Sequence, residues 1–113
     1  MKAAILLVLA CLGACSSGRQ ADLPAIKQIR SAAAEWALVN REAARGRLTA
    51  PYAIGMRKAV REEIATQAHT LRPGSPAAPI AAALLALPDD TAPDPIARRV
   101  ARLRQIEAAL EPA

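Results

Sequence analysis

Aromatic residues are almost missing from this chain, whose 113 residues include one Trp, one Tyr and no Phe. Proteins that hold single-stranded nucleic acids usually stack the bases on aromatic side chains, so this scarcity argues against nucleic-acid binding. The β-branched and aromatic residues that favour strands are few, and no segment alternates convincingly between apolar and polar residues. The sequence therefore predicts an all-α fold.

Side chains that ligate metals or act as nucleophiles are also scarce. Both cysteines, Cys11 and Cys15, lie within the first fifteen positions, and His69 is the only histidine. Zinc sites and thiol catalysis need clusters of such residues, and no catalytic motif such as Gly-x-Ser-x-Gly or His-Glu-x-x-His occurs. We expect a protein that is not an enzyme, with no cofactor, metal site or small-molecule substrate, and a surface position for His69.

Long apolar runs are limited to one short segment at residues 3–14. Its twelve residues are fewer than the roughly 20 that span a bilayer, so a polytopic membrane protein is excluded. Alanine contributes 29 residues of the chain, and only 22 larger apolar side chains follow residue 15. This supply suits one small helical domain.

The N-terminal segment has the organisation of a bacterial export signal. Lys2 precedes the apolar run, as in a secretory signal peptide. The run ends in the tetrapeptide Leu12-Gly13-Ala14-Cys15. This tetrapeptide resembles the lipobox of bacterial lipoproteins. The resemblance implies that the Cys15 sulfur receives a diacylglycerol, that a type II signal peptidase cleaves between Ala14 and Cys15, and that the new amino group is acylated.

The resemblance also bears on location. A lipoprotein with Ser16, rather than Asp, after the modified cysteine is expected at the periplasmic face of the outer membrane. Two or more acyl chains hold a protein stably on a membrane, so lipidated Cys15 would be the membrane contact. Cleavage by an ordinary signal peptidase and retention as an uncleaved anchor stay open, and Cys11 is a second candidate that would leave a very short apolar region.

We expect three segments along the chain: a cleaved signal peptide (1–14), a lipidated cysteine with a flexible tether (15–21), and a single small helical domain (22–113). Helices are predicted at about 22–45, 49–71, 80–87 and 94–110. Proline-rich stretches at 72–79 and 88–93 separate the later helices.

The first helix is predicted from a seam with spacings of three and four residues. Its members are Ile26, Ile29, Ala33, Trp36, Asn40 and Ala43. Asp22 is expected to cap the helix N-terminus through its carboxylate, with Pro24 in the first turn. Gly46 is expected in the left-handed conformation that ends many helices.

The second helix is expected to begin at the N-cap Thr49, with Pro51 in its first turn. Its predicted apolar arc comprises Tyr52, Met56, Ala59, Val60, Ile64 and Leu71, whereas Arg57, Lys58, Arg61 and Glu62 fall mostly on the other side. Because residues 46–48 form a short connection, the first two helices should pair as an antiparallel hairpin. Matching distances from the turn places Trp36 opposite Ala59.

The last two helices complete the predicted architecture. Residues 80–87 form a short apolar third helix, and Asp94-Pro95 is expected to cap the fourth. The arc of the fourth helix comprises Ile96, Val100, Leu103, Ile106 and Leu110. We therefore expect a helical hairpin with a short third helix and a C-terminal fourth helix packed on it.

The function expected from these patterns is that of a membrane-tethered, non-enzymatic interaction module that binds an unknown envelope protein or a second copy of itself. The alternative is a structural lipoprotein that contacts peptidoglycan or anionic glycolipid. Arg98, Arg99 and Arg102 form the candidate interaction surface, because the chain carries a net charge of +5 and these cations cluster on one helix. Three polar residues lie on or beside the apolar seams: Asn40, Glu63 and Gln67. They are expected to fix helix register, and a binding groove is the alternative.

Overall fold

The structure, a computed structural model, describes residues 20–112. It contains the helices α1 (Leu23–Ala44), α2 (Ala50–Ala68), α3 (Ala78–Leu85) and α4 (Pro93–Leu110). No strand occurs within this range, and the all-α prediction is confirmed. None of these helices has the length and apolar character needed to cross a bilayer. The expected signal peptide and Cys15 lie outside the described residues.

The central helix is α1, which packs along both α2 and α4. Asp22, just before α1, contacts Arg72 beyond the end of α2, so α1 and α2 are antiparallel. Lys27 near the start of α1 pairs with Glu111 beyond the end of α4, so α4 is also antiparallel to α1. The short α3 contacts both α2 and α4. The predicted hairpin with a short third helix and a packed fourth helix is confirmed.

The core forms where the apolar arcs of the four helices meet. The seam of α1 is buried as predicted except for its last member, Ala43, which is partly buried, and Trp36 has no exposed surface. The arc of α4 is also buried except for its last member, Leu110, which is partly buried. The principal buried side chains are Ile26, Ile29, Trp36, Val60, Ile64, Leu84, Ile96, Val100, Leu103 and Ile106.

The turn between α1 and α2 has the chemistry predicted for it. Gly46 adopts a φ of 71°, the left-handed conformation expected at the end of α1. The Thr49 hydroxyl oxygen accepts a hydrogen bond from the Tyr52 backbone N–H at 3.4 Å, which confirms Thr49 as the N-cap. These two features fix a short connection, so the second helix must return along the first.

We expect opposite effects from alanine at two glycines. Gly46→Ala should destabilise the fold by about 1–2 kcal/mol, because a side chain is strained in the left-handed region. Gly55→Ala should stabilise it by about 0.5–1 kcal/mol, because Gly55 lies within α2 and an added Cβ would meet no atom of another part of the fold within 4 Å. Urea unfolding followed by helical circular dichroism measures both changes. Equal effects of the two substitutions would contradict the assigned conformations.

The predicted capping roles of two aspartates are wrong. Asp22 makes no capping hydrogen bond; its carboxylate instead accepts from the Arg72 backbone N–H at 3.1 Å, because the start of α1 packs beside the loop after α2. Ala92 is the residue before α4, and Asp94 lies within its first turn. The second helix ends at Ala68 rather than near residue 71, and α3 begins and ends two residues earlier than expected.

The predicted inner face of α2 is also partly wrong. Tyr52 and Ala59, which were placed on the apolar arc, are exposed. Arg57 and Arg61, which were placed on the outer side, are half-buried and turn toward the neighbouring elements. The indole of Trp36 is thus covered by the Arg61 guanidinium, at 5.0 Å from the ring centroid, whereas Ala59 stays at the surface.

Candidate interaction surface

A polar cluster at the hairpin-turn end joins three parts of the chain. Asn40 of α1 donates from its side-chain amide to the backbone oxygens of Asp89 and Thr91, at 2.9 and 2.7 Å. Its amide oxygen accepts from Arg57 Nε at 2.7 Å. Asn40 therefore positions α2 and the α3–α4 loop against α1, which agrees with the register role predicted for it.

The guanidinium of Arg61 reinforces the same region. It donates to the backbone oxygens of Leu85 and Leu87 at 2.8 and 2.7 Å, and it pairs with the Asp89 carboxylate at 3.0 Å. Trp36 Nε1 donates to the Asp89 backbone oxygen at 2.9 Å. Arg61 and Trp36 therefore satisfy carbonyls at the end of α3 and in the following loop, so both side chains help to hold this loop against α1 and α2.

The predicted arginine surface on α4 is only partly formed. Arg98 and Arg102 are exposed and lie one turn apart on one face. Arg99 is half-buried and donates to the Pro95 backbone oxygen of its own helix at 3.0 Å. Within residues 20–112, no carboxylate lies within 4.0 Å of any of these three cations. The outward face therefore consists of Arg98 and Arg102, without Arg99.

Three large apolar side chains are exposed in the described part of the chain. Leu38, Tyr52 and Ile54 have 52%, 54% and 62% of their surface accessible. Leu38 lies in the second half of α1, and the other two lie in the first turns of α2. Because these helices are antiparallel, all three residues lie in the half of the molecule that contains the hairpin turn.

A shallow depression of about 410 Å³ adjoins Ile54. Its apolar floor includes Ala65, and charged groups surround it. The lining residues are Ile54, Lys58, Arg61, Glu62, Ala65 and Asp89. An exposed aliphatic side chain with a charged border is a common arrangement in protein–protein contacts. We define Ile54 and this depression as the turn-end patch.

The sequence patterns missed the turn-end patch for an identifiable reason. Tyr52 was assigned to the core arc, and Ile54 lies two positions away from it on the opposite side of the helix. An isoleucine outside the apolar arc of an amphipathic helix was the available signal.

The remaining candidate residues are exposed or half-buried. His69 is exposed, and Glu63 accepts a hydrogen bond from Gln67 one turn along α2. Residues 20–112 contain no group of three His, Cys, Asp or Glu side chains placed to hold a metal ion. The expected lipidation and cleavage positions, Cys15 and Ala14, lie outside the described residues.

No family model matches the chain, and comparisons with curated proteins and with solved structures find no similar protein.

Proposed function

We propose that this chain is a lipid-anchored helical domain that binds a partner protein of the bacterial cell envelope through its turn-end patch and catalyses no reaction. The main supporting observation is that Ile54, the most exposed large apolar side chain of the described residues, adjoins a depression with a charged border. Full burial of an isoleucine side chain is worth roughly 1.5–3 kcal/mol, so covering Ile54 favours association.

The location of the patch fits a membrane tether. Cys15 precedes Asp22 by seven residues, a distance of at most about 25 Å along an extended chain. The 22 residues of α1 extend for about 33 Å from that end of the domain to the hairpin turn. A lipid on Cys15 would therefore hold the start of α1 near the bilayer, with the turn-end patch at the opposite end of the domain.

A photo-crosslinking experiment tests this proposal in cells. A benzoylphenylalanine at position 54 of the full chain is expected to give one discrete adduct with an envelope protein. The same group at position 109 should give none. Ala109 is also exposed, but it lies in the last turn of α4, at the end of the domain away from the hairpin turn. Adding Ala65→Asp should reduce the position-54 adduct at least about tenfold, because it places a charge in the apolar lining of the depression beside Ile54.

Two results would contradict the proposal. One is a position-54 probe that labels no more protein than the position-109 probe. The other is an adduct that Ala65→Asp leaves unchanged, since a specific apolar contact with the depression must lose affinity when its lining becomes charged.

A second candidate function is contact with peptidoglycan or anionic glycolipid through α4. It is favoured by the exposure of Arg98 and Arg102 and by the absence of a carboxylate partner for either within residues 20–112. Binding to isolated sacculi that falls with added salt, and that disappears when both arginines are changed to Glu, would select this function.

A further inference from the structure

Two grooves of similar size run along the exposed side of α1. The groove between α1 and α2 has a volume of about 200 Å³, and the groove between α1 and α4 about 210 Å³. Ser31 and Leu38 lie seven residues apart on one face of α1 and border the first and the second groove, respectively. Both are exposed, so they form a ridge between the grooves.

The grooves carry opposite charges. Glu35 and Glu63 line the α1–α2 groove, whereas Arg41 and Arg104 line the α1–α4 groove. Alanines provide four of the six other lining residues of the α1–α4 groove and two of the six in the α1–α2 groove. Within residues 20–112, none of these four charged side chains takes part in an ion pair. One face of the chain therefore complements the other in charge.

The charged residues also lie at matching heights along α1. Arg30 pairs with Glu107, so Arg104, about one turn earlier on the antiparallel α4, lies near residue 34 of α1. Glu63 lines the same groove as Ser31 and Glu35. Arg104 and Glu63 are therefore both level with the turn of α1 that contains Glu35.

Symmetry decides which grooves meet when two copies pair through the α1 ridge. A two-fold axis parallel to α1 places α2 of one copy opposite α4 of the other, so that Glu35 and Glu63 face the partner copy's arginine groove. A two-fold axis perpendicular to α1 within the interface places α2 opposite α2 and α4 opposite α4. The second arrangement brings like charges together, which costs several kcal/mol.

We propose that two copies of this chain form a parallel dimer through the α1 ridge, with Leu38 beside the two-fold axis and the glutamate groove of each copy facing the Arg104 groove of the other. The parallel arrangement also places both α1 N-termini at the same end of the dimer. Two chains anchored in one membrane can adopt it; that compatibility, but not the charge argument, rests on the proposed lipid anchor.

Cysteine crosslinking in the full chain tests the axis position. Leu38→Cys treated in cells with a short bismaleimide is expected to yield a covalent homodimer at least about tenfold above the parent chain, whose own Cys11 and Cys15 give the background. Arg98→Cys is the matched control, since it is equally exposed but lies on the outer face of α4. A Leu38→Cys yield no greater than that of Arg98→Cys overturns the dimer, as does crosslinking only to other proteins.

A charge exchange tests the pairing of the grooves. In the Leu38→Cys background, Arg104→Glu alone and Glu63→Arg alone should each lower the dimer yield about tenfold, because each places like charges opposite one another. The double variant should restore the yield. If the dimer yield of the double variant instead falls by the product of the two factors found for the single variants, the proposed pairing is overturned.

The dimer and partner binding at the turn-end patch can be confirmed or rejected independently. If the position-54 probe gives no adduct but the Leu38→Cys homodimer forms, the partner-binding role of the turn-end patch is rejected and the dimer stands. Retained adducts without a homodimer give the reverse conclusion. Helical circular dichroism of each variant confirms that the four helices are intact, which is expected because the changed residues lie at or near the surface.

Discussion

Trp36→Ala is expected to lower the free energy of unfolding by about 3–5 kcal/mol, the range typical of truncating a buried Trp or Phe. Trp36 has no exposed surface and is the largest fully buried side chain of the core. Its removal leaves a cavity between α1 and its neighbours and deletes the hydrogen bond from Nε1 to the Asp89 backbone oxygen. Because the free energy of unfolding of small domains is only about 5–15 kcal/mol, this single change should remove a large part of the stability of the fold.

The matched variant Trp36→Phe separates packing from hydrogen bonding. It retains an aromatic ring but lacks the N–H donor, so we expect a loss of about 1–3 kcal/mol. Urea unfolding of residues 16–113, followed by circular dichroism at the helical minimum, measures both variants without relying on tryptophan fluorescence. A Trp36→Ala variant within about 1 kcal/mol of the parent would show that the indole does not hold α1 against α2 and the α3–α4 loop.

Cys15→Ser is expected to abolish lipidation of the chain. The lipobox resemblance assigns the acyl chains to the Cys15 sulfur and amino group, and serine offers no thiol for the first modification. Each CH₂ group of an acyl chain that enters the bilayer contributes about 0.8 kcal/mol to membrane binding. Loss of the acyl chains removes this contribution. Cys11→Ser is the matched control and should behave like the parent chain.

Two measurements check this expectation. Mass spectrometry should find a mature chain that begins at a triacylated Cys15 in the parent and in Cys11→Ser, and an unlipidated chain in Cys15→Ser. Radiolabelled palmitate should enter the first two chains only. Label that persists in Cys15→Ser but disappears in Cys11→Ser would move the lipid to the earlier cysteine and overturn the assignment.

The helices that the sequence predicted most accurately are those whose apolar residues alone define a face. In α1 the spacing of Ile29, Ala33 and Trp36 repeats at the helical period, and the structure buries all three. In α4 the same holds for Ile96, Val100 and Leu103. These faces are readable because burying aliphatic surface is favourable wherever the partner lies, so periodicity is sufficient to predict which side turns inward.

The orientation of α2 could not be predicted from periodicity. Arginine is expected on an outer face, yet its long stem can pack against apolar groups while its guanidinium reaches distant acceptors. Arg61 does this by covering the Trp36 ring and donating to carbonyls at the end of α3. Those acceptors lie 24 and 26 residues further along the chain, so no local pattern around Arg61 reveals them.

The same distinction applies to Asp22. A local rule predicts that an Asp before a helix caps that helix. In the structure the Asp22 carboxylate instead accepts a hydrogen bond from the Arg72 backbone N–H, 50 residues away. Side chains with hydrogen-bonding capacity choose among all the donors within reach, and the tertiary fold decides which donors those are.

The sequence alone determined that the described chain folds into four helices, that Gly46 and Thr49 bound a tight hairpin turn, and that Trp36 belongs to the core. These properties follow from backbone conformational preferences and from the period of apolar residues, which act over a few positions. Only the tertiary structure decided that Arg57 and Arg61 face inward, that Tyr52 and Ile54 stay exposed, and that grooves of opposite charge flank α1. Those features depend on how the helices are rotated against one another, because rotation is set by the long-range contacts that satisfy every buried polar group at once.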